Sequence, residues 1–283
     1  MVEDITNTDY AGEIENFGDT VKIIKEPTIT VKDYARGQTV DTQVLADDQI
    51  TMTVDQGSYF AFKVDDIEER QSHVNFEALA TSSGAYSLKK AYDYNVLKFI
   101  YDNASTNASA TGTDGSPIDG DAAVDTLANL VSTAKKNLDR NDVPEENRWL
   151  VSSPEFFEQL RKAGAKLSDQ SVMADGGASQ IRNGMVTDKP LFGFNMYSTN
   201  AIAVSSGSAA SHTFGSAGSN EFAFLYGHMS GVATVNHIAK TELIRDPDSF
   251  ADVVRGLHVY GRKILRDEAV RSGVITIGYY LGG

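Results

Sequence analysis

Cysteine is absent from the chain, so neither disulfides nor thiolate metal sites contribute to its stability. No apolar run approaches the roughly eighteen residues that a helix needs to cross a bilayer. The opening residues, MVEDITNTDYAGEIENFG, lack the basic and apolar segments of a signal peptide, so export by that route is not expected. Cations are in short supply: 25 Lys and Arg stand against 39 Asp and Glu, a formal charge of -14. Phosphate binding needs clustered cations that displace counterions, so sequence-specific nucleic acid recognition is not expected. What the chain does have is apolar content, 41% of 283 residues, enough to bury one large or two modest cores.

Periodicity divides the chain into an arm, a long helix, an α/β segment and a run of strands. In DTVKIIKEPTITVKDYARGQTVDTQVLADDQITMTVDQGSYFAFKVDD, the sets Ile29/Val31, Ile50/Met52/Val54 and Phe60/Phe62/Val64 recur every second residue, as on one face of a strand. The stretch between, Asp33 to Asp48, is charged and carries Gly37, which suits the tip of an extended hairpin. From Asp65 to Tyr101 the spacing turns helical, with Leu88, Ala91, Tyr92, Asn95 and Phe99 on one stripe. Gly84 is expected to break or kink that helix, because glycine costs about 1 kcal/mol against alanine in a helix interior.

Residues 102–126 contain almost no large apolar side chain, yet they separate two helical patterns. They read as a linker, as a metal loop on Asp114, Asp119 and Asp121, or as a bridge between parts of an interleaved fold. A second helix follows, with Asp119 or Asp121 as N-cap, a stripe of Val124, Leu127, Leu130, Val131 and Leu138, and Pro144 as stop. NRWLVSS then reads as a buried strand, and SPEFFEQLRKAG as a helix with Ser153 at N-cap and Pro154 at its first turn. Two small-residue tracts, SDQSVMADGGASQIRNGMVTDKPLFGFNMYST and SSGSAASHTFGSAGSN, read as loops. EFAFLYG, GVATVNHIAKTELIRD, FADVVRGLHVYGRKIL and GVITIGYY restore β character, Leu257 and Val259 alternating with His258 and Tyr260.

Chemical motifs are scarce. The aspartate-rich loop does not have the spacing, the glycine or the distal Glu of a helix-loop-helix calcium site, and capping and turn formation account for the same residues. His73, His212, His228, His237 and His258 include no metal-ligand pair, although His228 and His237 would meet across a hairpin. No GxSxG elbow is present. Gly176 and Gly177 suit an anion loop but lack the Lys-Ser/Thr ending of a P-loop. Tyr59, Phe60, Phe62, Tyr92, Tyr94, Phe99 and Tyr101 form an aromatic set best explained by core and subunit packing, given the acidic balance. No catalytic, cofactor or metal residues are assigned.

The order of these features resembles that of the major capsid proteins of tailed bacteriophages, which have the Hong Kong 97 fold. The resemblance is carried by GDTVKI and ITVKDYARGQTVDTQVLADDQITMTVDQGSYFAFKVDDIEERQS, by DTLANLVSTAKKNLDRNDVPEENRWLVSSPEFFEQL and by VVRGLHVYGRKILRDEAVRSGVITI. It implies an α+β fold with an N-terminal arm at 1–21, an extended E-loop hairpin at 22–60, and a first part of the P-domain at 61–118 with a spine helix over 66–101. An inserted α/β A-domain at 119–228 and a second, β-stranded part of the P-domain at 229–283 complete it. Residues 102–120 then become a bridge from P-domain to A-domain, with no metal.

The function implied is a structural one: pentamers and hexamers of an icosahedral shell around the double-stranded DNA genome of a tailed phage. Scaffolding and portal proteins are the implied partners, with a decoration protein as a further one. No membrane, cofactor or enzymatic activity is implied, and the place of action is the virion capsid after assembly in the host bacterial cytoplasm. Arm-tip contacts would come from Tyr34, Arg36, Asp47 and Asp48. Some family members crosslink an E-loop lysine to a neighbour; Lys22, Lys25, Lys32 and Lys63 are available, with no motif that selects among them. Two other readings stay open: an encapsulin-like compartment that encloses cargo, and an α/β metabolic enzyme with its site in the loops 168–190.

Overall fold

The computed structural model describes residues 1–10, 18–24, 29–37, 39, 42–43, 49–65, 76–111, 120–154, 156–157, 193–202, 221–247 and 249–276. In chain order these form α1 (Val2–Ile5), β1 (Thr20–Ile24), β2 (Gln49–Thr53), β3 (Gln56–Asp65), α2 (Phe76–Asn103), β4 (Ser105–Thr111) and α3 (Gly120–Arg140). There follow β5 (Arg148–Ser152), β6 (Asn195–Ser198), β7 (Glu221–His228), β8 (Val232–Arg245), β9 (Ala251–Ile264) and β10 (Val270–Thr276). A mixed five-stranded sheet has the order β4-β10-β7-β5-β6, and an antiparallel three-stranded sheet the order β3-β9-β8. β1 and β2 pair as a separate antiparallel ribbon, from Thr20 opposite Thr53 to Ile24 opposite Gln49.

The larger core lies where α1, α2 and α3 meet the five-stranded sheet. Leu127, Val131, Ala134 and Leu138 of α3 are buried at spacings of three and four, against Trp149, Leu150 and Val151 of β5 and Phe224 and Tyr226 of β7. Each fully buried large apolar side chain contributes about 1.5–3 kcal/mol. All five β5 residues are buried because the strand sits between β7 and β6, as the sequence NRWLVSS predicts. Ser153 caps the next helical turn, its Oγ accepting from the Phe156 N–H at 3.4 Å, with Pro154 in the first position as expected. The smaller core joins the ribbon to the other sheet: Val21, Ile23, Met52 and Val54 cover Ala233, Val235 and Val259.

Several expectations need correction. Gly84 does not split the segment into two helices, since α2 runs unbroken from 76 to 103. A Cβ at Gly84 would lie 3.0 Å from the Phe60 ring, so the missing side chain is what lets helix and sheet approach. The buried face of α2 is not the single stripe foreseen: Tyr92 belongs to it, but Val96, Leu97 and Ile100 are the fully buried residues, while Ala91, Asn95 and Phe99 stay partly exposed. Gly84 packs on β3, whereas Ala104, just past the helix, accepts a hydrogen bond from Ser272 of β10. One helix therefore serves two sheets.

Residues 102–120 are not wholly a loop, for 105–111 form β4, a parallel partner of β10. Asp121 stands inside α3 instead of capping it. Ile29 and Val31 join no strand, although their alternation predicted one. Residues 66–75, Asp114, Asp119, His73, His212 and the loops 168–190 with Gly176 and Gly177 lie outside the described residues.

Candidate assembly surfaces

The arm is built from its base outward. β1 and β2 hold it to the three-stranded sheet, and Gly18 N–H to the Val54 carbonyl (3.0 Å) with Val54 N–H to the Asp19 carbonyl (3.2 Å) close that base. Farther out, the Thr30 N–H donates to Gln43 Oε1 at 3.1 Å, which ties the two limbs together. The chain turns at Arg36 and Gly37, whose φ of 92° suits glycine. Between these points Ile29, Val31 and Tyr34 are 70%, 92% and 69% exposed. Tyr34 and Arg36 thus lie at an exposed tip; Asp47, Asp48 and Lys25 fall outside the described residues. Of the other lysines, Lys22 lies in β1, Lys32 is exposed, and Lys63 is held by Asp246 at 2.5 Å.

A second surface is the part of the three-stranded sheet that the ribbon leaves uncovered. Tyr59 stands opposite Leu257 and Leu257 opposite Lys240, with Tyr59 78% exposed. Beside them Glu242 accepts from Lys240 (2.8 Å) and Arg255 (2.6 Å), which together hold its carboxyl down to about 2. The β8–β9 turn is also well built: Asp246 Oδ2 accepts from Lys63 Nζ and, at 2.7 Å, from Ser249 Oγ, while the Asp246 N–H donates to the Ala251 carbonyl. This turn presents Phe250, which is 81% exposed. Sequence reasoning missed Phe250; its signal was an aromatic residue in the turn RDPDSF between two strands.

Between α2 and this sheet, the Phe60 ring is gripped by two glycines. A Cβ at Gly256 would lie 2.3 Å from Phe60 Cε1, and Gly84 lies against the other flank. Next to it is a cavity of about 230 Å³ lined by Val2, Leu88, Tyr92, Asn236 and His258, among others. His258 sits edge-on to Tyr92 and stacks on Tyr260, and its Nε2 is 2.5 Å from Asn236 Oδ1. Burial pushes the His258 pKa down and the Tyr92 phenol up to about 12. His228 caps the turn after β7, and the backbone of His237 lies in β8 opposite Val259. Among the described residues no group of three or more His, Asp or Glu is placed to hold a metal ion, and no helix is long and apolar enough to cross a membrane.

Of the aromatic set, Tyr92 is core, Phe60 stacks on Phe62, and Phe99 lies under the Arg262 guanidinium at 4.9 Å. These positions fit packing. The chain therefore offers broad exposed surfaces on an arm, a sheet and a turn.

A family model described as phage capsid protein matches residues 47–272. No curated protein matches the chain. Among solved structures, one from Mycobacterium phage Che8 is 27% identical, with 96% of this chain and 90% of that chain covered at a TM-score of 0.75. The capsid of cyanophage P-SCSP1u is 17% identical over 98% of this chain and 88% of its own (TM-score 0.70). The mature capsid of bacteriophage PhiM1 is 16% identical over 93% and 82% (TM-score 0.65). These last two likenesses bear on the fold alone, and it is a capsid fold. The chain belongs to the phage capsid protein family and is a structural shell protein of the tailed-bacteriophage major capsid kind.

Proposed function

We propose that the chain forms pentamers and hexamers of an icosahedral shell that encloses the double-stranded DNA genome of a tailed phage. The observation that carries this reading is the family match across most of the chain, and the exposed arm supports it. An arm whose described residues leave three large apolar side chains in water is stabilised by lying on a neighbour. In this reading residues 1–21 are the N-terminal arm and 22–60 the E-loop, with the ribbon as its root. Residues 61–118 and 229–283 form the P-domain, 119–228 the A-domain, and α2 the spine helix. These are divisions of the chain and not of the sheets, since β4 and β10 share a sheet with β5, β6 and β7.

Tyr34, Arg36, Asp47 and Asp48 are assigned to arm-tip contacts. Exposed ion pairs are worth about 0–1 kcal/mol each, so the strength of the shell comes from buried area and from repetition. The role is structural instead of catalytic. Scaffolding and portal proteins complete the assembly in the host cytoplasm, and a charge of -14 keeps the inner wall from gripping the genome along its length. Negative-stain electron microscopy of the purified chain, with and without its scaffolding protein, tests this. Rings of five and six or closed shells are expected; particles filled with a cargo enzyme and lacking any portal would favour an encapsulin-like compartment instead.

A further inference from the structure

The two large sheets meet at one joint. β7 of the five-stranded sheet runs into β8 of the three-stranded sheet through a 3-10 turn, Met229–Gly231, and β9 returns to β10 through a second, Asp267–Ala269. The turns interlock: the Leu265 and Arg266 N–H groups donate to the Gly231 carbonyl at 2.9 and 3.3 Å. A Cβ at Gly231 would lie 2.2 Å from Val270 Cγ2, and one at Gly227 would lie 2.7 Å from the Ala269 carbonyl oxygen, so neither position has room for a side chain. The two sheets are held in close contact here.

His228 begins the first turn. Its Nδ1 accepts from the Ser230 N–H at 3.1 Å and lies 2.7 Å from Ser230 Oγ, while a further hydrogen bond ties the ring to the Glu146 backbone. Acceptance at Nδ1 needs a lone pair there, so the ring proton belongs on Nε2. The charged groups that face the ring are Arg148 of β5 and Arg266 before the second turn. Arg148 is paired with Asp139 at 2.6 Å and Arg266 with Glu268 at 3.7 Å, which softens their repulsion without reversing it.

We propose that His228 is an acid-sensitive lock on this joint: protonation turns Nδ1 from acceptor into donor, expels the Ser230 amide and sets a third cation beside Arg148 and Arg266. Burial lowers the His228 pKa, the two guanidinium groups lower it further, and the Glu146 hydrogen bond opposes them. A histidine depressed in the folded state contributes full stability above its unfolded value of 6.5, and that contribution falls as pH drops from there towards the folded value. The lock is closed near neutral pH and opens in mild acid. Its consequence for a shell rests on the reading above: the contact between the sheets bears on how a subunit meets its neighbours, so the joint couples pH to shell geometry.

Hydrogen exchange by mass spectrometry on the unassembled chain, at about pH 7.5 and about pH 5 with intrinsic rates corrected, tests the lock. In the wild type, protection of peptides covering 225–233 and 262–270 is expected to be lost on going from the higher to the lower pH, the direction that a depressed histidine pKa dictates. His228→Asn, whose amide oxygen replaces the Nδ1 acceptor without titrating, is expected to keep that protection at both pH values. An unchanged wild type, or an equal acid loss in His228→Asn, overturns the proposal. Nitrogen NMR of the wild-type imidazole is an independent test: a neutral ring protonated at Nε2 with a pKa below 6.5 supports the lock, and an Nδ1-protonated ring or a higher value refutes it. Because exchange is read before assembly, a chain that never forms shells leaves this result standing.

Discussion

Replacing Gly256 by alanine isolates the contact between α2 and the three-stranded sheet. The new Cβ would fall 2.3 Å from Phe60 Cε1 and 2.6 Å from Cζ, far inside van der Waals contact. The ring cannot move towards α2, because its other flank already touches the helix at Gly84, where an ideal Cβ would be 3.0 Å from Cδ2; the neighbouring cavity is the space into which it can shift. Overpacking of this kind costs about 1–3 kcal/mol. Phe60→Ala removes a half-buried ring, about half the full core cost, or roughly 1.5–2.5 kcal/mol. If the clash is the whole cause, Gly256→Ala adds almost nothing in the Phe60→Ala background, and the cycle yields a coupling of about 1–3 kcal/mol. Urea unfolding followed by far-UV circular dichroism and by Trp149, the single tryptophan and 1% exposed, measures all four proteins. Equal losses from Gly256→Ala with and without Phe60 would refute the reasoning.

Leu127→Ala empties a fully buried position between α3 and the sheet and is expected to cost about 2–5 kcal/mol in the same urea assay. Arg148, 2% exposed, donates to Asp139 Oδ1 and to the carbonyls of Pro144 and Val143. Arg148→Ala is expected to cost about 3 kcal/mol or more, and Arg148→Lys not to restore it, since one ammonium cannot reach all three acceptors in the guanidinium geometry. The depressed pKa of buried His258 means its contribution is complete above 6.5 and declines below it; unfolding midpoints of His258→Gln are expected to lose less between about pH 7.5 and pH 5 than those of the wild type. Ile29→Ser with Val31→Ser changes two exposed side chains, so monomer stability should stay within about 0.5 kcal/mol while the yield of assembled particles drops.

How much of this was legible depended on whether local chemistry or distant pairing decided each element. α3 carries its own signals, a clean stripe at Leu127, Val131 and Leu138 and a proline beyond its end, and the structure follows them. Ser153 and Pro154 announced a helix start for the same reason, since a cap is a contact over three residues. β4 was invisible because STNASAT has no large apolar residue, and its strand state comes from pairing with β10, far along the chain. Gly84 misled because its partner, Phe60, lies on a different element. Val96, Leu97 and Ile100 were missed because a single stripe assumes one packing partner, and α2 has two sheets to serve. For the surfaces, the alternation of Ile29 and Val31 was readable but not their exposure, and Phe250 became evident only when Asp246, Lys63 and Ser249 fixed the turn that presents it.

The claim that matters most is that this chain is a unit of a closed shell, and light-scattering mass with cryo-electron microscopy of the chain co-produced with its scaffolding protein tests it most directly. The account predicts masses of five and six subunits or of whole shells, with density for the arm of one subunit running over the next. A chain that remains a monomer at every concentration, with or without the scaffolding protein, would contradict it.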